Sequence, residues 1–348
     1  MKVDVQLIRA RLCAPFVSAS GSLQVRELLL LSLKDANGHV GLGEAAPLEP
    51  YDGVRVDDVR AALEDCRDAL GRADASPRAE ILAECSQLAV LPQAVAAVDL
   101  ALWDLAGRRA GRPLWQLLGA GAAEPVELNY TIAAGDRAGA ATEASRARES
   151  GYCCVKAKVG IGDDAGRIAA VRAAAGADMA IRLDANGAWS VAEAAAALRA
   201  LEPTGIELCE EPVRGLEQTA ELAARTAVPL AIDETSLAPG ALEHRVCQAV
   251  CLKIARCGGI TGVLDAGRAA LTAGYEVYLA STLDGPLGIA AALHTAALLR
   301  PQRPCGLATL ALFAEPDDPL PARSGRIAVP FGPGLGDGLA AWYAAQGY

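Results

Sequence analysis

Five charged residues stand at the ends of short apolar runs, at nearly constant intervals along the middle of this chain. Met179 to Leu183 stops at Asp184, in Arg182-Leu183-Asp184-Ala185-Asn186-Gly187. Leu208-Cys209 stops at Glu210, Leu230-Ala231-Ile232 at Asp233, and Cys251-Leu252 at Lys253. Upstream, Val155-Lys156-Ala157-Lys158 carries two lysines. The steps from Lys158 to Asp184, Glu210, Asp233 and Lys253 are 26, 26, 23 and 20 residues. Each step has room for one strand, one helix and two loops. Strands of one parallel sheet ending in this way would project all five groups from its carboxyl edge. Three oxygens there could hold a hard divalent cation, with an amine on either side.

The rest of the pattern agrees with a barrel. From Val126 onward, strands are predicted at Val126-Asn129, Cys154-Lys158, Met179-Leu183, Glu207-Cys209, Leu230-Ile232, Val250-Ile254 and Glu276-Leu279, with a short one near Gly306-Leu307. Ala-rich helical stretches lie between them, such as Ala165 to Ala175, Val191 to Leu201 and Val263 to Ala273. Eight parallel strands alternating with helices predict an α/β fold, a (β/α)8 barrel over residues 121–320. No GxGxxG follows a strand, which argues against a dinucleotide-binding sheet.

Residues 1–120 read differently, as an α+β capping domain. Strands are expected over Val3 to Leu12, Glu27 to Leu33 and Val40 to Ala45, the last two joined through Asn37-Gly38, a strong hairpin signal. Helices are expected over Asp57 to Leu70, Ala79 to Gln87 and Gln93 to Ala110. Ala14 to Ser22 and Pro47 to Val54, rich in small and turn residues, are expected as loops. Residues 321–348 are expected to return to this domain, with Gly325 to Pro330 as a strand.

Several function classes are excluded by composition. A net charge of −10 disfavours nucleic acid or an anionic membrane surface as partner. No apolar run approaches the roughly 18 residues of a membrane span, and Met1-Lys2-Val3-Asp4 leads straight into a strand. A cytoplasmic protein is expected, acting on a small-molecule carboxylate and assembled as a homo-oligomer. Ten cysteines without a CxxC pair, several of them in or beside apolar strands, are expected to be reduced and to serve as small hydrophobes.

Buried acids need partners, and each alone could pair with a lysine or cap a helix. Three at consecutive strand ends favour a metal, with Asp184, Glu210 and Asp233 as ligands. An all-oxygen set without a His or Cys cluster points to Mg²⁺ over zinc. The only histidines, His39, His244 and His294, end no predicted barrel strand. Acid–base work then falls on lysine. Lys156 and Lys158 share one side of their strand, and Lys253 lies across the mouth. A lysine beside another lysine and a cation has its ammonium form disfavoured, so its pKa is expected to fall toward neutrality. Such a site suits removal of a proton α to a metal-bound carboxylate.

With these residues in view, the chain resembles the enolase superfamily, in its muconate-lactonizing-enzyme subgroup. The resemblance rests on Lys156-Ala157-Lys158, Asp184-Ala185-Asn186, Glu210-Glu211-Pro212, Asp233-Glu234 and Lys253 followed by Gly258-Gly259-Ile260. It also includes Gly43-Glu44-Ala45-Ala46-Pro47 and Pro330-Phe331-Gly332-Pro333-Gly334-Leu335-Gly336, and so covers almost the whole chain. It implies Mg²⁺ on Asp184, Glu210 and Asp233, with Mn²⁺ as a substitute, and Lys158 and Lys253 as the acid–base pair. It also implies that the Ala14–Ser22 and Pro47–Val54 loops cap the barrel mouth. A His where Lys253 stands would have marked the mandelate-racemase subgroup.

Within the subgroup, dipeptide epimerases carry Asp-x-Asp near the eighth strand, where this chain has Cys305-Gly306-Leu307-Ala308-Thr309-Leu310. The segment Ala280-Ser281-Thr282-Leu283-Asp284-Gly285-Pro286 resembles o-succinylbenzoate synthases, which dehydrate a cyclohexadiene carboxylate on the menaquinone route. That activity is the leading expectation, with a muconate-type cycloisomerase and an N-succinylamino acid racemase or dipeptide epimerase as alternatives. A non-catalytic scaffold is a further reading, which the intact set of five charges argues against. Lys156, Asn186, Ser281, Thr282, Asp284 and Gly306 are expected to bind substrate, the Ser281–Thr282 hydroxyls and backbone N–H groups near Gly306 facing a distal carboxylate.

Overall fold

A computed structural model describes residues 1–18, 21–133, 135–314 and 317–346. The N-terminal part is a three-stranded antiparallel sheet, β1 (Lys2–Ser18), β2 (Gly21–Lys34) and β3 (Val40–Ala45), in that order. Alternation along β2 buries Leu29, Leu31 and Leu33 against helices Val56–Asp65, Arg78–Ala89 and Pro92–Ala110. Contact of β3 with the last helix is so close that a Cβ on Gly43 would lie 1.9 Å from the Ala97 carbonyl oxygen. The helix expected over Asp57 to Leu70 breaks at Cys66 into Val56–Asp65 and Arg67–Gly71.

Ala14 to Ser22, expected as a loop, is instead the arm of the first hairpin. Phe16 pairs with Leu23 and Val17 with Ser22, while Ala19 and Ser20 lie outside the described residues. The small and turn residues are absorbed by a shift of register between Arg11 and Phe16, a bulge that bends the arm without ending it. The Pro47–Val54 segment folds into one helical turn, Glu49–Asp52, closed by left-handed Gly53 (φ 73°).

The second part is a curled parallel sheet with helices outside. The first expected strand divides: β4 (Val126–Glu127) leaves the ring, and β5 (Asn129–Ile132) opens it. Next come β6 (Cys154–Lys158), β7 (Ala180–Asp184), β8 (Ile206–Glu210), β9 (Leu230–Ile232), β10 (Ala249–Leu252) and β11 (Glu276–Leu279), each parallel to its neighbour. Cys305 and Gly306 fill the eighth position through single bridges. Gly306 N donates to Leu279 O (2.8 Å) and Asn129 N to Cys305 O (2.9 Å), which joins β11 to β5. The result is a modified (β/α) barrel with an N-terminal capping domain.

The C-terminal segment touches both parts. β12 (Arg326–Ile327) pairs antiparallel with β4 at the foot of the barrel, not with the N-terminal sheet. Beyond it, Leu335 N donates to Asp104 of the Pro92–Ala110 helix (2.8 Å), and Tyr343 donates its hydroxyl hydrogen to Glu44 of β3. His294, 0% exposed, is fixed between Trp115 N and Leu335 O, and burial lowers its pKa to about 4. It is a neutral packing residue remote from the strand ends.

Candidate functional site at the carboxyl edge of the barrel

Strands β6 to β10 bring the five charged strand ends into one buried cluster. Asp184, Glu210 and Asp233 are at most 2% exposed. Lys156 Nζ bridges Glu210 Oε1 (2.7 Å) and Asp184 Oδ2 (2.8 Å). Lys158 Nζ donates to the same Asp184 Oδ2 (2.6 Å) and to Asn186 Oδ1 (2.7 Å). Lys253 Nζ donates to Asp233 Oδ2 and to the Tyr51 hydroxyl (2.7 Å). Ligand atoms of Glu210, Asp233 and Cys251 lie within 4.8 Å of one another. Asp184 lies outside that group, its Oδ2 bound by Lys156 and Lys158. The three carboxylates are hard donors that could together hold Mg²⁺. Burial and the neighbouring Glu210 and Asp233 raise the Cys251 pKa well above its ordinary value, and a thiol is a softer donor than the carboxylates beside it.

Two turns with unusual backbone set this geometry. Asn186 is left-handed (φ 47°), a conformation that asparagine tolerates better than most residues. Its N–H donates to Asp184 Oδ1 (3.0 Å) and its Nδ2 to Glu234 Oε1 (3.1 Å), so it fixes both Asp184 and Lys158. Glu211 (φ 39°) turns its carboxylate under the Asp233 turn and accepts from Asp233 N (2.6 Å) and Thr235 N (3.1 Å). Tyr278 donates to Glu210 Oε2 (2.7 Å), while its ring supports the buried Arg182 guanidinium 4.3 Å away.

The neighbouring charges set the pKa values within this cluster. Burial alone would lower the lysine pKa values, but Asp184 and Glu210 hold Lys156 above the ordinary value. Asp233 and Tyr51 likewise outweigh burial and hold Lys253 well above its ordinary value. Carboxylates, not other cations, are the nearest charges to Lys156 and Lys253 among the described residues. Asp184 and Asp233 are driven down in turn: burial would raise them, but Lys156 with Lys158, and Lys253 with Lys156, prevail. Burial and Glu234 raise Glu211 to about 8.

Above this floor a cavity open to solvent rises between barrel and cap. Its upper walls are Phe16, Ser22 and Leu23 of the hairpin arm, Leu48, Pro50 and Tyr51 of the 47–54 loop, and Thr131, Ala280, Ser281, Thr282, Leu283, Gly306 and Thr309 of the barrel. Among the described lining residues, every charged group belongs to the floor. Lys156, Lys158, Asn186, Ser281, Thr282 and Gly306 all border the cavity.

Asp284 does not. Its carboxylate turns back to accept from Thr282 N (3.2 Å) and Thr282 Oγ1 (2.6 Å), in the field of Arg26 and Glu44. The Thr282 hydroxyl is committed to that bond. The Ser281 hydroxyl shares a hydrogen with Thr309 (2.7 Å) and accepts from Leu283 N (3.0 Å). The Gly306 N–H is consumed in closing the ring on Leu279 O, so it cannot serve an anion. Sequence reading missed Tyr51, Glu211 and Tyr278. Glu211 stood inside a quoted motif, and the acid pair Glu210-Glu211 was the available signal for it.

Comparison with known proteins places this geometry in a family. Residues 2–119 match the mandelate racemase / muconate lactonizing enzyme N-terminal domain, and residues 139–341 match the enolase C-terminal domain-like family. The L-Ala-D/L-Glu epimerase of Bacillus subtilis is 31% identical over 317 residues, covering 86% of this chain and 85% of that protein. The N-succinyl Arg/Lys racemase of Bacillus cereus superposes with a TM-score of 0.90 at 27% identity, covering 100% of this chain and 99% of the other. A dipeptide epimerase of Cytophaga hutchinsonii, solved with Mg and D-Ala-L-Val, gives a TM-score of 0.87 at 27% identity and 98% coverage of both chains. The chain is a member of the enolase superfamily, in its muconate-lactonizing-enzyme subgroup, and an enzyme of lyase or isomerase type.

Proposed function

We propose that this protein is a Mg²⁺-dependent racemase or epimerase that moves the proton on the carbon α to a carboxylate, in an amino-acid derivative whose distal part is uncharged. The observation that carries this reading is the placement of two lysines on one cavity. Lys158 comes from β6 and Lys253 from the end of β10, with β7, β8 and β9 between them. A carbon held between them can lose its proton to one amine and receive a proton from the other ammonium on the opposite face. Asp184, Glu210 and Asp233 would hold the Mg²⁺, with Mn²⁺ as its substitute. When bound there, the cation neutralises charge that builds on the substrate carboxylate. Asn186 keeps Lys158 aimed, and Glu211 keeps Asp233 turned toward the floor.

The upper walls favour this over the o-succinylbenzoate dehydration expected from the motifs, and over muconate cycloisomerisation. Both of those substrates carry a second carboxylate, and among the described residues no charged group of the upper wall meets one. Thr131, Ser281 and Thr309 suit instead a neutral amide, and Phe16, Leu23, Leu48 and Leu283 an apolar side chain. The epimerase and racemase relatives support proton movement at the α-carbon, while the uncharged distal part is read from the cavity walls alone. The test is α-deuterium exchange by ¹H NMR in D₂O with Mg²⁺, over N-acylamino acids, dipeptides, cis,cis-muconate and the o-succinylbenzoate precursor. Exchange with inversion of an N-acylamino acid whose acyl group is uncharged is expected to exceed that of any dipeptide. Turnover of the precursor or of muconate, with no exchange in any amino-acid derivative, would overturn the reading.

A further inference from the structure

We infer that Tyr51, a capping-domain residue, is the positioning residue for Lys253, and so controls proton transfer at one face of the substrate only. The inference rests on the assignment of Lys253 as one of the two acid–base groups. The Tyr51 hydroxyl stands at the centre of three charged groups. It accepts from Lys253 Nζ (2.7 Å) and Arg256 Nη1 (2.8 Å), and donates to Asp233 Oδ2 (3.0 Å). Lys253 Nζ also lies 4.6 Å from the Tyr51 ring centroid. The partners of Lys253 are thus one carboxylate and this phenol. Asp233 is also assigned to the cation, which leaves Tyr51 as the neutral acceptor that holds the amine in line with the cavity.

Tyr51 arrives on a loop that is fixed before any substrate binds. The Asp52 carboxylate collects Leu48 N (3.1 Å), Val54 N (2.9 Å) and Gln93 Nε2 (2.8 Å), which staples the turn to the Pro92–Ala110 helix. Arg26 donates through Nη1 to Pro47 O and through Nε to Leu283 O (3.2 Å), tying the same loop to the barrel wall. A side chain delivered this way loses little freedom on reaching its target, which is what preorganisation of a reacting group requires. Among the described residues Lys158 has no such contact: its partners, Asp184 and Asn186, both belong to the barrel.

Tyr51→Phe keeps the ring and removes the hydroxyl, so it tests the hydrogen bonds alone. Each enantiomer of the best substrate is followed separately for α-deuterium exchange, and Lys253→Ala in the same assay identifies the face that Lys253 serves. Loss of a hydrogen bond to a charged group predicts a fall of roughly 10- to 100-fold in kcat at that face, with KM and exchange at the Lys158 face within about threefold of the parent. Equal loss at both faces, or an unchanged rate at the Lys253 face, would overturn the inference. Absence of exchange at either face in the parent enzyme would overturn the racemase reading and this inference with it.

Discussion

Lys158 and Lys253 sit on one cavity but are held by different kinds of scaffold. Lys158 is fixed within the barrel by Asp184 and Asn186, residues 26 and 28 positions away on the adjoining strand and its turn. Lys253 is fixed by Asp233 from the barrel and by Tyr51, 202 positions away in the capping domain. One side of the site is therefore held entirely within the barrel. The other needs the cap docked, with its 47–54 loop pinned by Asp52 and Arg26. A barrel supplies charge at its strand ends with little freedom to vary it. A cap supplies the acceptor and the wall, and so sets which substrate reaches the charge.

The change with the largest expected effect should erase this difference. Glu210 lies beneath both sides, bound by Lys156 and Tyr278. Glu210→Gln is expected to abolish exchange at both faces, by roughly 10³-fold or more, since a cation's contribution of several kcal/mol is lost. Calorimetry should show Mg²⁺ affinity falling with it while circular dichroism is unchanged; full affinity in the variant would remove Glu210 from the ligand set. Next in size, Lys158→Ala and Lys253→Ala should each stop exchange from one stereochemical face. A factor of about 10²–10⁴ is expected for a lost acid–base group. Loss at both faces from Lys253→Ala, with Lys158→Ala harmless, would replace the two-sided site by a one-sided one.

The same contrast explains what could be read from the chain alone. Lys158, Asp184, Glu210, Asp233 and Lys253 are visible because β-strand periodicity and a repeating unit place them, and both are local properties. Asn186 and Glu211 were within reach for the same reason, since each acts on a turn beside its acid. Tyr51 was not, because its partners Asp233 and Lys253 are 182 and 202 residues distant and nothing local marks a loop tyrosine as their neighbour. The misreadings share that origin. Whether Asp284 faces the cavity depends on Arg26 and Glu44 in another domain, and whether Gly306 N–H is free depends on how the barrel closes. The hairpin arm read as a loop since a bulge leaves no signature distinct from turn residues.

The smallest expected effect concerns the joint that keeps the cap-dependent side assembled. Glu44 of β3 meets Tyr343 of the C-terminal helix, Gly285 N (2.9 Å) and the field of Asp284, with Arg26 beside them. Burial and then Asp284 raise the Glu44 pKa from an ordinary 4.5 to about 8, against the opposing hydrogen bonds of Tyr343 and Gly285. The folded state therefore holds this proton more tightly than the unfolded chain. The stability it contributes is complete below about pH 4.5 and is lost as pH rises toward 8, at no more than about 1.4 kcal/mol per pH unit for one proton. Glu44→Gln keeps the shape of the protonated acid and cannot ionise. Thermal melts across pH 5 to 8 should accordingly slope downward for the parent enzyme and flatten in the variant. The Lys253 face should lose activity with rising pH before the Lys158 face does, because only Lys253 is held directly by a cap residue, Tyr51. Parallel slopes in the two proteins would move the pH dependence of the cap–barrel joint away from Glu44, and equal loss at both faces would break the division between a self-sufficient barrel side and a cap-dependent one.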